Sequence, residues 1–216
     1  MGNSIKISLL LVLMLGDASA EGKKPQIDEC FKSTGDIPNC SDCHGADGNS
    51  LNSIWPNLAG LDKRYILKQL SDFKAGRRIS CEMNGVMRDI PSDSAILEEL
   101  ADYFSSQTLV APKKEKYQNN KLIDLTLGKE IYIGKRMDYG IPACSACHDK
   151  SKGSDEGKYP RLIGQHRKYI VKQMKLFRDH KRSNDVPAMM QNITRVMDDE
   201  DIESVAAYIE TLSSTR

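Results

Sequence analysis

Two five-residue stretches constrain this chain more than anything else in it: Cys40-Ser41-Asp42-Cys43-His44 and Cys144-Ser145-Ala146-Cys147-His148. Both read C-x-x-C-H, the attachment signature for c-type haem. The spacing has a chemical reason. In a helical turn, two cysteines three residues apart project to one side of the backbone. Their sulfurs can then form thioethers with the two vinyl groups of one porphyrin. The histidine that follows is placed to offer a ring nitrogen to the iron. A C-x-x-C pair alone also suits zinc or a dithiol redox pair. Two copies, each followed directly by His, favour haem. They imply two haem c groups, one on Cys40, Cys43 and His44, the other on Cys144, Cys147 and His148.

The two motifs belong to a longer repeat. A shift of 104 residues superposes them and carries Trp55-Pro56-Asn57-Leu58-Ala59-Gly60 onto Tyr159-Pro160-Arg161-Leu162-Ile163-Gly164. Arg64 to Leu70 then falls on Lys168 to Met174, Phe73 on Phe177 and Arg78 on Arg182. After small insertions the copies realign, with Tyr103 on Tyr208. This is a tandem duplication with one haem in each copy. Gln107 to Asn120 holds Pro112 and a cluster of lysines and lacks an apolar period, so a linker is read there. The expected organisation is a first unit over 21–110, a linker over 111–120 and a second unit over 121–216.

Residues 1–20 stand apart. Lys6 precedes an apolar run from Ile7 to Leu15, and Ala18-Ser19-Ala20 has the small-x-small pattern of a cleavage site. This reads as a secretory signal peptide. The rival, an uncleaved anchor, meets the difficulty that the run is short for a bilayer. Export fits covalent haem, which is attached outside the cytoplasm, and a periplasmic location is expected. The net charge of +1 gives no sign of a nucleic-acid partner. No later segment is apolar enough to span a membrane, which leaves room only for peripheral association.

Helical periodicity dominates. Tyr65, Ile66, Gln69, Leu70 and Phe73 mark one helix, and Ile96 to Phe104 another, after a start signal at Ser92 or Asp93. Tyr169 to Phe177 and Ile202 to Leu212 are the counterparts, and a further helix is expected around Leu122 to Tyr132. No stretch alternates persuasively as a strand. The fold class expected is all-α.

Each iron needs a distal ligand or an open site. The spare histidines, His166 and His180, lie only in the second copy, so they are read as surface or interface residues. Methionine is available to both copies: Met83 and Met87 in the first, Met189, Met190 and Met197 in the second. Counting back from the terminal helices, Met83 is seven residues before Ile90 and Met190 is seven before Met197. In that register Met83 pairs with Met190, Met87 falls on Thr194 and Met189 on Glu82. Met83 and Met190 are therefore the candidate axial ligands, against the plain alternative that a methionine fills core. Two six-coordinate His/Met irons leave no site for a substrate, and the chemistry is one-electron transfer. An electron-transfer protein is expected, not an enzyme.

These residues resemble the dihaem cytochrome c4 family. The resemblance spans nearly the whole mature chain. It is carried by Cys40 to Ser50, Pro56 to Gly60, Tyr65 to Gln69, Glu82-Met83-Asn84-Gly85 and Leu100 to Gln107. In the second copy it is carried by Ile141 to Cys144, Tyr159 to Leu162, Gly164-Gln165-His166 and Met189-Met190 to Ile209. It implies two tandem class I cytochrome c domains related by a pseudo-two-fold, with haem propionate edges facing each other. It also implies Met83 and Met190 as distal ligands. The partners implied are a quinol-cytochrome c reductase-type donor and a terminal oxidase-type acceptor. The alternative is a dihaem electron-transfer subunit, or a small oxidoreductase, acting on an inorganic sulfur or peroxide substrate.

Cys30 and Cys81 have no counterparts in the second copy. They could pair as a disulfide, or Cys81 could serve as an alternative iron ligand. Charge is also unequal. Residues 21–110 hold 10 Lys/Arg and 14 Asp/Glu, and residues 111–216 hold 20 and 15, so the halves carry −4 and +5. That difference would orient docking, unless it only serves solubility.

Overall fold

The computed structural model describes residues 39–91, 94–112, 121–149, 157–185 and 187–212. Residues 1–20, Cys30, the helix-start signal at Ser92 and Asp93 and most of the linker (113–120) lie outside the described residues. Among the described residues the elements are helical, and none is a strand. In the first half these are α1 (Cys40–His44), α2 (Lys63–Lys74), α3 (Cys81–Asp89) and α4 (Ser94–Ser106). The second half holds α5 (Leu125–Tyr132), α6 (Cys144–His148), α7 (Arg167–Arg178), α8 (Met189–Thr194) and α9 (Asp199–Thr211). Among the described residues no helix is long and apolar enough to cross a membrane.

Local chemistry sets these boundaries. Asp62 opens α2 by accepting the N–H groups of Arg64 and Tyr65 at 2.8 and 3.3 Å. Asp124 opens α5 in the same way, through Thr126 and Leu127. At α9, Asp198 accepts the Asp201 N–H at 2.8 Å, and Asp201 accepts that of Asp198 at 3.3 Å. Such reciprocal caps satisfy N–H groups that a helix cannot pair itself. At the other end of a helix, Lys74 donates to the Met87, Arg88 and Ile90 carbonyls and closes α3.

The repeat is visible in backbone detail. After α2, the N–H groups of Arg77 and Arg78 both donate to the Asp72 carbonyl, at 2.8 and 3.1 Å. After α7, those of Lys181 and Arg182 both donate to the Leu176 carbonyl, at 2.9 Å each. These positions are 104 apart. Each copy packs its terminal helix on the helix after its haem motif: α4 on α2, and α9 on α7. The apolar face of α2 (Ile66, Phe73) and of α4 (Leu97, Ala101, Phe104) is buried between them and α3. In the second half Ile170 and Met174 meet Ile202, Val205 and Ile209. There α5 also lies against α9. Gly128 makes that contact close: a Cβ built on it would lie 2.1 Å from the Ser204 carbonyl oxygen.

α3 and α8 do not appear among the helices expected from periodicity. They are short, nine and six residues; Met87 is the one fully buried apolar side chain of α3, and α8 has none. Helices this short are held by their tertiary partners.

Candidate cofactor cavity

The two motifs sit on α1 and α6, single turns of helix. Asn39 precedes α1 and donates its backbone N–H to the Asp42 carboxylate at 2.9 Å. His44 and His148 end the two helices and are both buried. Nδ1 of His44 lies 2.9 Å from the Pro56 carbonyl, and Nδ1 of His148 lies 2.7 Å from that of Pro160. A carbonyl only accepts, so Nδ1 carries the hydrogen and Nε2 keeps its lone pair. Burial lowers both imidazole pKa values, with the proline carbonyls opposing it. Both rings are thus held neutral, with Nε2 free to ligate.

Cys40, Cys43, Cys144 and Cys147 form no disulfide. Burial raises the Cys40 and Cys43 thiols and pushes Cys144 up to about 11. Among the described residues, no three His, Cys, Asp or Glu side chains come together as a metal-holding group. Cys81 is disulfide-bonded, so it has no thiolate to offer an iron. Its expected partner, Cys30, lies outside the described residues.

Both motifs open on one continuous cavity of about 2230 Å³ that runs through both halves. Met83 on α3 and Met190 on α8 line it, as do the other candidates Met87, Met189 and Met197. Met87 is wholly buried and packs with Phe73 and Leu97, while Met197 is buried in the core of the second half. In each copy a carboxamide follows the candidate methionine and ties its helix down. Asn84 donates to the Phe73 and Arg78 carbonyls at 2.7 and 3.1 Å and accepts the Ser80 N–H at 2.6 Å. Gln191 donates to Asp185 at 2.8 Å and meets Nδ1 of His180 at 3.1 Å.

Where the halves meet, the cavity wall is polar and cationic. Arg78 and Arg182 are buried there, each with its guanidinium over the phenylalanine of its own copy: Phe73 at 4.5 Å and Phe177 at 4.4 Å. Arg78 donates to Gln69 at 2.7 Å and crosses to Tyr169 and Gln173, both at 2.9 Å. Arg182 donates to the same Gln173 at 2.7 Å and crosses to Gln69 at 3.3 Å. Asp72 is the carboxylate in this cluster, and it is shared by Lys68, Arg77 and Asn184. His166 is an interface residue, as expected: it is buried, with Nε2 2.9 Å from the Ser50 carbonyl of the other half. His180 is exposed.

The expectations from sequence did not assign roles to these seam residues. One signal was available. Gln69/Gln173, Tyr65/Tyr169 and Arg78/Arg182 are retained pairs in the repeat, and a polar pair retained on a helix face that otherwise buries apolar groups marks a partnered position.

The wall can be tested against haem. Nε of Arg161, buried on the cavity wall, has no hydrogen-bond partner. Together with Arg78 and Arg182 it leaves an excess of buried positive charge, which is costly unless anions approach. A haem brings two carboxylates, a largely apolar ring and vinyl groups for the thiols. The residues present fit two such groups.

A sequence model of the family described as Cytochrome c matches residues 125–213. The cytochrome c4 of Stutzerimonas stutzeri is 36% identical over 97% of this chain and 99% of that protein. The crystal structure of reduced recombinant cytochrome c4 from Pseudomonas stutzeri superposes with a TM-score of 0.71, at 36% identity, covering 80% of this chain and 93% of that one. A thiosulfate dehydrogenase electron acceptor from Stutzerimonas stutzeri is 30% identical over 78% of this chain and 76% of that protein.

Proposed function

Because this chain belongs to the cytochrome c4 family, a dihaem cytochrome with covalently bound haem c, we propose that it carries electrons one at a time between periplasmic redox proteins. The donor is a quinol-oxidising complex of the quinol-cytochrome c reductase type, and the acceptor is a terminal oxidase. Residues 1–20 are the export signal, and 21–110 and 121–216 are the two haem units, joined by 111–120. Each haem supplies a reversible one-electron couple at its iron.

The protein's own residues do the rest. Cys40, Cys43, Cys144 and Cys147 anchor the two rings. His44 and His148 ligate through Nε2, oriented by Pro56 and Pro160. Met83 and Met190 are the distal ligands. What supports them is that both line the cavity and both precede a carboxamide that locks their helix. A thioether ligand favours ferrous iron and raises the reduction potential. Arg78, Arg182 and Arg161 neutralise carboxylates along the seam and hold the halves in register.

The observation that carries this reading is the cavity itself: both histidines face one continuous space, so electrons can pass between the two centres without leaving the protein. The test is the optical spectrum of the oxidised holoprotein. Two six-coordinate His/Met centres give the weak red-edge methionine-to-iron band with the intensity of two haems. Intensity for one, or a high-spin signal, refutes the carrier reading.

A second reading follows from the relative named for thiosulfate dehydrogenase: an electron acceptor serving a sulfur-oxidising enzyme. Reduction of the holoprotein by thiosulfate only when a thiosulfate dehydrogenase is added would favour it. Reduction by thiosulfate alone would make the chain itself an oxidoreductase.

A further inference from the structure

Side chains hold both backbone polar groups of Met190. Its N–H donates to Asp185 Oδ2 at 2.7 Å, and its carbonyl accepts from Thr194 Oγ1 at 2.8 Å. Asp185 does more. Its Oδ2 also accepts the Gln191 N–H at 3.1 Å, and its Oδ1 accepts the Gln191 side-chain amide at 2.8 Å. Its backbone carbonyl accepts the N–H of Ala188. Ala188, immediately before α8, has φ 65°, a left-handed conformation that a residue with a Cβ adopts only when its surroundings impose it. A six-residue helix does not hold itself in water. The carboxylate of Asp185 is therefore the clasp that closes this loop and sets where the Met190 side chain leaves the backbone.

The first copy is built differently. In the register that pairs Met83 with Met190, Asp185 falls on Arg78, so no carboxylate stands five residues before Met83. The Met83 helix is held instead by Asn84, through the Phe73 and Arg78 carbonyls and the Ser80 N–H. The two candidate ligands thus depend on different chemistry, and a change at Asp185 has no direct counterpart at Met83.

We propose that Asp185 is the positioning residue for the distal ligand of the second haem alone, holding the Met190 thioether over the iron through the Met190 and Gln191 N–H groups. This rests on the reading of Met190 as that ligand. Removing the carboxylate lets the Met190 loop open more readily, so an added ligand reaches the second iron faster while the first haem is unaffected.

The test uses the holoprotein with Asp185→Ala and Asp185→Asn, and with Met83→Leu and Met190→Leu as references. The methionine-to-iron band of the oxidised form and the methionine methyl resonances of the reduced form are recorded. Imidazole is then added to the oxidised protein and its binding is timed. In Asp185→Ala the resonance that Met190→Leu abolishes is shifted or lost, and the one that Met83→Leu abolishes stays in place. One phase of imidazole binding quickens by about tenfold or more. Asp185→Asn keeps one acceptor oxygen in the same place and recovers part of the wild-type behaviour, and it serves in place of the alanine variant if that one does not fold. Wild-type resonances and imidazole rates in Asp185→Ala overturn the proposal, and so does an equal change at both haems. If Met190→Leu leaves both resonances intact, the ligand reading fails and takes the inference with it. Loss in Met190→Leu without change in Asp185→Ala refutes the positioning role alone.

Discussion

Asn57 and Gln165 hold each other across the two halves of the protein. The Asn57 N–H donates to Gln165 Oε1 at 2.9 Å, and Gln165 Nε2 donates back to the Asn57 carbonyl at 3.0 Å. The Asn57 side chain is also engaged, donating to the Gly164 carbonyl at 2.8 Å and accepting the Ser50 N–H at 2.7 Å. Ser50 in turn donates its hydroxyl to the Cys43 carbonyl at 2.7 Å. A contact between halves is thereby connected to the helix that carries the first haem.

Gln165→Ala removes both partners of the buried Asn57 peptide groups. An unsatisfied buried donor or acceptor costs about 1–3 kcal/mol. The expected outcome is a loss of that order in unfolding free energy, read by denaturant titration of the holoprotein. A change under about 0.5 kcal/mol, the range of ordinary surface substitutions, would show that water replaces the glutamine at no cost.

Gly128→Ala puts a methyl group where the Ser204 carbonyl oxygen already lies. Alanine normally favours a helix interior by roughly 0.5–1 kcal/mol over glycine. Here overpacking dominates, and the net effect is a destabilisation of about 1–3 kcal/mol. Thermal melting of the variant decides the sign; a raised midpoint means that α5 and α9 can move apart freely.

Asp72 makes the seam sensitive to acid. Burial alone would raise its pKa, but hydrogen bonds from Lys68, Asn184 and Arg77 outweigh it and hold the carboxyl below its ordinary value. The folded pKa is thus depressed. Its contribution to stability is complete above the unfolded value of about 4 and is lost as pH falls through the lower folded value. Wild type should exceed Asp72→Asn in stability at neutral pH, and the gap should close in acid. Lys68 and Arg77 are substantially exposed, so solvent screens their share and Asn184 matters most. A gap that does not change with pH contradicts this account.

Cys81 opens α3 two residues before Met83, and it is disulfide-bonded. The holoprotein should therefore show no maleimide labelling at Cys81 until a reductant is added, as read by peptide mass spectrometry. If reduction also changes the methionine resonance that Met83→Leu removes, the disulfide helps to hold the first distal ligand.

Much of the helical layout was legible because it is written in local pattern. The long helices α2, α4, α7 and α9 each carry an apolar stripe at helical spacing, and α9 also carries its acids in the first turn. α3 with its C-cap does carry Met83, Val86, Met87 and Ile90 at helical spacing, but α8 is only six residues long and the charged seam pairs residues more than 90 positions apart. Neither leaves a periodic trace. His166 could be read as an interface residue, but its acceptor, the Ser50 carbonyl, could not be named in advance.

The sequence by itself determined the covalent chemistry. Two C-x-x-C-H motifs and a 104-residue repeat specify two haems, two histidines and two equivalent helical units, because thioether formation and helical spacing are local facts. Tertiary structure alone decided how the copies differ. It buried Arg78 and Arg182 together beside Asp72, and it gave the loop before Met190 a clasp, Asp185, where the Met83 helix is tied down by Asn84 instead. Those differences arise where the halves touch and where short helices lean on distant side chains. The free energy there comes from burying and pairing charge across the chain, which no stretch of sequence contains.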